Sequence, residues 1–319
     1  MPTSSTTNDT KWRSEYPFAS HWLNLSDGQL HFLDEGPRNG ETLLFVHGNP
    51  TWSFHWRRLI AALSPTHRCV AIDHLGCGLS DKPHRGYRLA DRIRHLGRLV
   101  DELDLRRVTL VAQDWGGAIG LGAMLDRQER LDRILLYNTG AWPPTLIPAR
   151  INVCKTPLLG KLALQGGNLF SLTALRMTMA RRKLDPVAAA GYLAPYNNWA
   201  NRRAVYEFVA DIPRGPDHPT WRTLKSIDER LPQLARLPIR LVWGMQDWCF
   251  TPVCLDRFQG YWPEAEAFRL EDVGHWVPED APEEALRYLA EFVRGADGLV
   301  ADGGGDAAAH STRFVREGG

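Results

Sequence analysis

Val111-Ala112-Gln113-Asp114-Trp115-Gly116-Gly117-Ala118 is the most informative stretch of the chain. The apolar run Val108-Thr109-Leu110-Val111-Ala112 reads as a buried strand, and a helical pattern follows over 116–127. Between them Asp114 must occupy a tight turn, with Ala112 and Gly116 small enough to let it close. An Asp ahead of a helix is also an ordinary N-cap. The turn alone decides little, and its surroundings decide more.

Similar apolar runs recur on both sides. Leu43-Leu44-Phe45-Val46 ends at His47-Gly48, Cys69-Val70-Ala71-Ile72 at Asp73, and Ile134-Leu135-Leu136-Tyr137 before Asn138. Leu241-Val242-Trp243 ends at Gly244, and a weaker run, Ala267–Leu270, precedes Val273-Gly274-His275. Helical patterns lie over 55–64, 89–104, 252–260 and 281–294. Strands that alternate with helices, each a continuous apolar run, predict an α/β fold with a mostly parallel central sheet and flanking helices. Ahead of them His21–Leu25 and Gln29–Asp34 flank Ser26-Asp27-Gly28, a hairpin signal. The rhythm breaks between 142 and 225, a stretch that reads as helices and loops without a clean strand. We therefore expect a core of 15–141 and 226–295, an inserted helical cap over 142–225, a disordered tail at 1–14 and a flexible tail at 296–319. Ligands of open parallel sheets bind at the carboxyl ends of the strands, so a cap inserted there would roof the site.

Three of the strand ends carry chemistry-bearing residues. The strand–turn–helix around Asp114 resembles the nucleophile elbow of α/β-hydrolases, with Asp in place of the usual Ser. Asp247 lies in Gly244-Met245-Gln246-Asp247-Trp248 and His275 in Gly274-His275-Trp276. Asp114…Asp247…His275 is the nucleophile–acid–base order of that fold. His47-Gly48-Asn49-Pro50-Thr51-Trp52 stands where that fold carries its second oxyanion-hole arm, although Asn-Pro also marks turns. Asp73–Pro83 reads as a structural loop. A carboxylate is ionised at neutral pH without help from a base. It attacks esters poorly, because the adduct reverts, but suits displacement at an sp³ carbon, where a covalent alkyl ester results.

Residues from about 20 to 295 resemble the haloalkane dehalogenase group of α/β-hydrolases. The matching motifs are HGNPTWSFHWR (47–57), DHLGCGLSDKP (73–83), AQDWGG (112–117), GMQDWCFTP (244–252) and GHWVPED (274–280). In some members the acid follows the sixth strand. Tyr137-Asn138-Thr139 offers no carboxylate there, which leaves Asp247. Asn49 and Trp115 match the group's paired leaving-group donors. Acid after strand seven, together with Asn and Trp, resembles the subfamily of β-lactone decarboxylases of long-chain olefin biosynthesis. The cap stretch Ala188–Tyr196 with Trp199-Ala200 is similar to those enzymes too. The resemblance implies Asp114 as nucleophile, His275 as base, Asp247 as the acid orienting His275, and Asn49 and Trp115 as leaving-group and oxyanion donors. It also implies a hydrophobic small-molecule substrate and assembly with other enzymes of the olefin pathway. The leading reading is a cis-β-lactone decarboxylase giving a cis-olefin and CO₂. The alternative is a haloalkane dehalogenase. An epoxide hydrolase would need Tyr192 and Tyr196, four apart in the cap, to protonate the epoxide oxygen. Trp52, Tyr192, Tyr196, Trp248 and Trp276 are candidate pocket walls, as is the apolar stripe Leu169, Phe170, Leu172, Leu175, Met177 and Met179.

Composition narrows the remaining classes. The chain has 319 residues with Lys+Arg 38 against Asp+Glu 37, a net charge of +1. No global field draws it to nucleic acid or to an anionic membrane, though a local basic patch is compatible with neutrality. Five Cys, an odd number with no C-x-x-C pair, imply reduced thiols rather than a disulfide framework or zinc site. No Walker-type loop or metal-ligand spacing is found, so no cofactor and no metal are expected. The N-terminus lacks the pattern of a secretory signal, and no run reaches the roughly 20 apolar residues of a membrane span. A cytoplasmic protein without a transmembrane segment is expected. Its 12 Trp are unusual and suit either a large core or a pocket wall.

Overall fold

A computed structural model describes residues 11–156 and 158–294. The expected tail at 296–319 lies outside the described residues, as do residues 1–10 of the expected N-terminal tail. The strands are β1 (His21–Leu25), β2 (Gly28–Glu35), β3 (Thr42–Val46), β4 (Arg68–Ile72), β5 (Val108–Asp114), β6 (Leu131–Thr139), β7 (Ile239–Gly244) and β8 (Glu266–Leu270). They form one sheet in the order β1-β2-β4-β3-β5-β6-β7-β8. β1, β2 and β4 pair antiparallel, and every pairing from β4 through β3 to β8 is parallel. The hairpin and the six apolar runs thus form as the sequence predicts.

Alternation along the strands explains why both faces need cover. Leu44 and Val46, Val70 and Ile72, Leu110 and Ala112, and Leu241 and Trp243 join one core cluster. Their neighbours Leu43 and Phe45, Cys69 and Ala71, Val111, and Val242 join the other. The helices in chain order are α1 (Arg57–Leu63), α2 (Leu89–Glu102), α3 (Trp115–Leu125), α4 (Ala149–Cys154), α5 (Leu159–Lys161), α6 (Leu169–Met177), α7 (Pro186–Leu193), α8 (Arg203–Ala210), α9 (Pro219–Arg230), α10 (Pro252–Tyr261), α11 (Val277–Asp280) and α12 (Pro282–Arg294). Residues of α2, α3, α9 and α10 fill the first cluster, and residues of α1 and α12 fill the second. α3 is apolar around almost its whole circumference, as a helix buried on all sides must be.

Between β6 and α9, helices α4 to α8 follow one another without a strand among the described residues. Two boundaries differ from expectation. α9 runs through residue 225 and buries Leu224 and Ile227 against the core, so it packs as a sheet-covering helix rather than as part of the insertion. At the other end Trp12–Glu15 forms a single turn, with Trp12 only 4% exposed. Its ring lies edge-on to Trp52 and Phe54, with centroids 5.7 and 6.0 Å away. One indole among polar neighbours found an apolar seat, which polarity averaged over 1–14 conceals.

Candidate active site

Asp114 ends β5 with φ 54 and ψ −133, a conformation that aims its side chain away from sheet and helix alike. A non-glycine residue held there is strained, and such strain concentrates at functional sites. The surroundings enforce it. A Cβ on Gly116 would strike the Val46 carbonyl, and one on Gly48 would strike the Asp114 carboxylate itself. The Thr139 hydroxyl donates to the Asp114 carbonyl. Asp114 makes no side-chain cap to α3, which removes the plain N-cap reading.

Each carboxylate oxygen has its own neighbour. Oδ1 accepts the Asn49 backbone N–H at 2.7 Å. Oδ2 faces His275 Nε2 at 3.4 Å. On the far side of the ring His275 Nδ1 lies 2.6 Å from Asp247 Oδ2. Asp247 is buried, and its Oδ1 accepts the backbone N–H groups of Cys249 at 2.7 Å and Phe250 at 3.1 Å. Three residues from three strand ends are thus brought into one line. Burial opposes charge on His275, but Asp247 and Asp114 outweigh it and hold the imidazolium pKa up, at about 10. Phe250 stacks on the ring at 5.7 Å and holds its plane.

The two expected donors differ. The Trp115 indole N–H has no protein acceptor among the described residues, and Trp115 lines the cavity above Asp114. One Asn49 amide N–H is spent on the Val205 carbonyl of α8 at 3.2 Å, which leaves one free. As the first residue of α3, Trp115 also has a backbone N–H without an intrahelical acceptor.

A cavity of about 590 Å³ opens over Asp114 and His275. Trp248 is in its wall, with its indole N–H on the Met177 carbonyl at 3.0 Å. Phe170 and Met177 of α6 line it as expected, Leu169 is half-exposed beside an adjoining cleft, Leu172 is exposed, and Leu175 and Met179 pack into the core. Four other expected walls stand elsewhere. Trp52 is buried with its N–H on the Gly191 carbonyl. Tyr192 stacks on Trp276 at 4.5 Å, and its hydroxyl lies 2.8 Å from Glu279 Oε1 and 2.6 Å from His55 Nδ1. The Tyr196 hydroxyl donates to the Thr51 carbonyl at 3.2 Å. These aromatics form a core beneath the insertion, because each polar tip found a buried partner there. The epoxide-hydrolase reading loses both of its tyrosines.

Sequence reasoning missed two supports. Asn138, where some relatives carry the acid, donates to the Gly244 carbonyl at 2.9 Å and accepts the Gly244 N–H at 2.8 Å. It clamps the strand end from which Asp247 projects. Gln113 donates through Nε2 to the His275 carbonyl, while its Oε1 meets His55 Nε2. Beyond Tyr192 this chain continues through Glu279 to Arg57 and, at 2.8 Å, to Glu15. Residue type hinted at it, since a Gln inside a strand apolar on both faces needs partners.

A family description of the α/β hydrolase fold matches residues 41–282. The chain belongs to the α/β-hydrolase fold family. Within it, a cis-3-alkyl-4-alkyloxetan-2-one decarboxylase of Shewanella oneidensis is 38% identical over 291 residues, covering 89% of this chain and 91% of that protein. One of Xanthomonas campestris is 35% identical, covering 87% and 97%. Haloalkane dehalogenase 2 of Mycobacterium tuberculosis is 34% identical, covering 86% and 95%. The solved haloalkane dehalogenase of Agrobacterium tumefaciens superposes with a TM-score of 0.77 at 26% identity, covering 86% of this chain and 96% of that one. The recognition made from the five motifs agrees with these relatives. No helix among the described residues is long and apolar enough to cross a membrane.

Proposed function

We propose that this α/β-hydrolase opens cis-3,4-dialkyl β-lactones (oxetan-2-ones) through a covalent alkyl ester on Asp114 and releases a cis-alkene and CO₂. The observation that carries this reading is the apolar cavity over Asp114, together with relatives of that activity that align along nearly their whole length. At about 590 Å³ the cavity has the size of a drug-sized ligand site. An adjoining cleft shares Arg150, Cys154, Phe170, Thr173 and Met177 with it and gives a second alkyl arm somewhere to lie.

In this mechanism Asp114 Oδ2 attacks the sp³ ring carbon bonded to the ring oxygen. That C–O bond breaks with inversion, and the electron pair leaves on the carboxylate. The Trp115 indole N–H and the free Asn49 amide N–H meet the developing anion. The C–CO₂ bond then breaks, its electrons form the alkene, and the Asp114 carboxylate departs anti. Inversion followed by anti fragmentation keeps the alkyl groups cis. No water is consumed. Asp247 orients His275, and the imidazolium balances the charge of Asp114. Helices α4 to α8 act as the cap that keeps the chamber dry, the protein works in the cytoplasm, and association with other olefin-pathway enzymes belongs to the same reading.

Haloalkane dehalogenation is the second reading, favoured by the dehalogenase relatives and by the His275–Asp114 contact. There halide leaves, esterification removes the Asp114 charge, and the His275 pKa falls. The imidazole then activates water against the ester carbonyl. Parallel incubation with a cis-dialkyl-β-lactone and a bromoalkane tests the pair. Alkene with CO₂ supports decarboxylation, and alcohol with bromide from the second substrate alone overturns it.

A further inference from the structure

One stretch of the cap is both cationic and rich in exposed apolar side chains. Residues 141–184 hold seven Lys or Arg and no Asp or Glu, in a chain whose net charge is +1. Arg181 and Arg182 are neutralised by Asp272, Glu284 and Glu283. Lys155 is turned inward onto the carbonyls of Val209, Ala210 and Ile212. Arg150, Lys161, Arg176 and Lys183 remain at the surface without an acidic partner among the described residues. Between residues 146 and 172 lie seven of the eleven large apolar side chains exposed among the described residues. Leu146 is 82% exposed, Leu159 71% and Leu162 51%.

Some of these side chains line one opening. Leu146, Arg150 and exposed Val253 line the cavity over Asp114, and Leu169 lines the adjoining cleft. Monomeric proteins seldom expose contiguous apolar surface of this kind without a use for it. Cations beside exposed leucines are the composition of a surface that rests on anionic lipid, where apolar side chains enter the interface and Lys or Arg meet headgroup charge.

We infer that the α4–α6 face of the cap docks on an anionic lipid surface and turns the cavity mouth toward it. Docking stands on the surface alone. That it delivers a long-chain substrate to Asp114 rests on the function proposed above. The charge complementarity singles out a lipid occupant, because a second copy of this chain would bring cations against cations.

Co-sedimentation of the full chain with vesicles tests this without any substrate. Phosphatidylglycerol–phosphatidylcholine vesicles are compared with phosphatidylcholine alone, at low and high salt. Preferential binding to the anionic vesicles, weakened by salt, is expected. Lys161→Glu with Arg176→Glu and Lys183→Glu should lower it by about a hundredfold. Leu159→Ser with Leu162→Ser should lower it by about tenfold at unchanged charge. Both variants should keep the melting temperature and the turnover of a short, water-soluble substrate, since these side chains lie outside the cavity. Absence of wild-type binding, or equal binding by the variants, overturns the inference. A dimer that the leucine variant dissociates, with no vesicle binding, overturns it too and assigns the face to a second copy. Failure of lactone turnover alongside intact vesicle binding would count against the proposed function and leave docking standing.

Discussion

The floor and the roof of the cavity are built differently. On the floor, Asp114, Asp247 and His275 project from the ends of buried strands, and hydrogen bonds to Asn49, Thr139 and Asp247 and the close packing of Gly48 and Gly116 fix them. The roof is a run of short helices, α4 to α8, that meets the floor largely through side chains. The links include the Asn49 amide on the Val205 carbonyl, the Trp248 indole on the Met177 carbonyl, and the Trp276 backbone N–H on the Thr178 carbonyl at 3.1 Å. A sheet carries positional precision because its strands are held from both sides. Short helices held mainly by side chains vary more freely. The difference teaches where reaction type and substrate choice reside. Relatives named for two different reactions align along this one chain. That is the pattern expected when chemistry belongs to the floor and selection to the roof.

Substitutions that weigh the two regions against each other test this division. The largest effect is expected at Asp114. Asp114→Ala should lower turnover by about 10⁴-fold or more, by analogy with loss of a nucleophile that acts within a unit. Its melting temperature should not fall, because the substitution removes a carboxylate and no core contact. Removing the indole N–H with Trp115→Phe should cost about 10²–10³ in kcat, the usual loss for one oxyanion-type donor. Steady-state kinetics on the lactone check both. A cap substitution with losses of that size would break the comparison.

The pH dependence is next. With the His275 pKa at about 10, the imidazolium persists through neutral pH. Lactone turnover, which needs no base, should stay level toward pH 10 and fall above it as the proton leaves. Bromoalkane turnover should instead rise with pH, since the alkyl-enzyme needs neutral His275. The same shift bears on stability. His275 binds its proton more tightly folded than unfolded, so its contribution is complete below about pH 6.5 and is lost as pH rises through about 10. Unfolding of His275→Gln across that window should therefore show a weaker pH dependence than the parent.

Smaller effects should follow from the supports and the roof. Gln113→Leu leaves the buried His275 carbonyl unpaired and should destabilise the fold by about 1–3 kcal/mol. Its loss should fall on kcat with KM kept, because the cavity wall is untouched. Phe170→Ala, between the cavity and the adjoining cleft, should change kcat/KM by about tenfold or less while shifting the preferred alkyl length. A series of lactones with graded chains reads that shift.

Legibility in the sequence follows the same division. Strands buried on both faces leave continuous apolar runs, so the sheet and its strand ends could be read directly. Each of Asp114, Asp247 and His275 sits within a few residues of such an end and of a glycine. The aromatics were harder to place. Tyr192 and Tyr196 have the spacing of one helical face, yet spacing says nothing of what each side chain meets, and the helix ends at Leu193. Glu279 and His55 hold one hydroxyl and the Thr51 carbonyl the other, partners far away in the chain. Half of the 12 Trp, counting Trp12, are likewise buried in the core. Trp52, Trp56, Trp243, Trp262 and Trp276 are among the largest fully buried side chains, while Trp115, Trp142 and Trp248 line the cavity. The Gln113–His55 link is equally non-local, and only the oddity of a polar residue inside a buried strand marked it.

The central claim is that Asp114 is alkylated and then expelled by decarboxylation rather than freed by water. Turnover of a cis-β-lactone in ¹⁸O-labelled water, followed by mass spectrometry of the peptide that contains Asp114, tests it directly. The account predicts alkene and CO₂ in quantity with no ¹⁸O in the Asp114 carboxylate. Incorporation of ¹⁸O into that carboxylate in step with alkene release would contradict it.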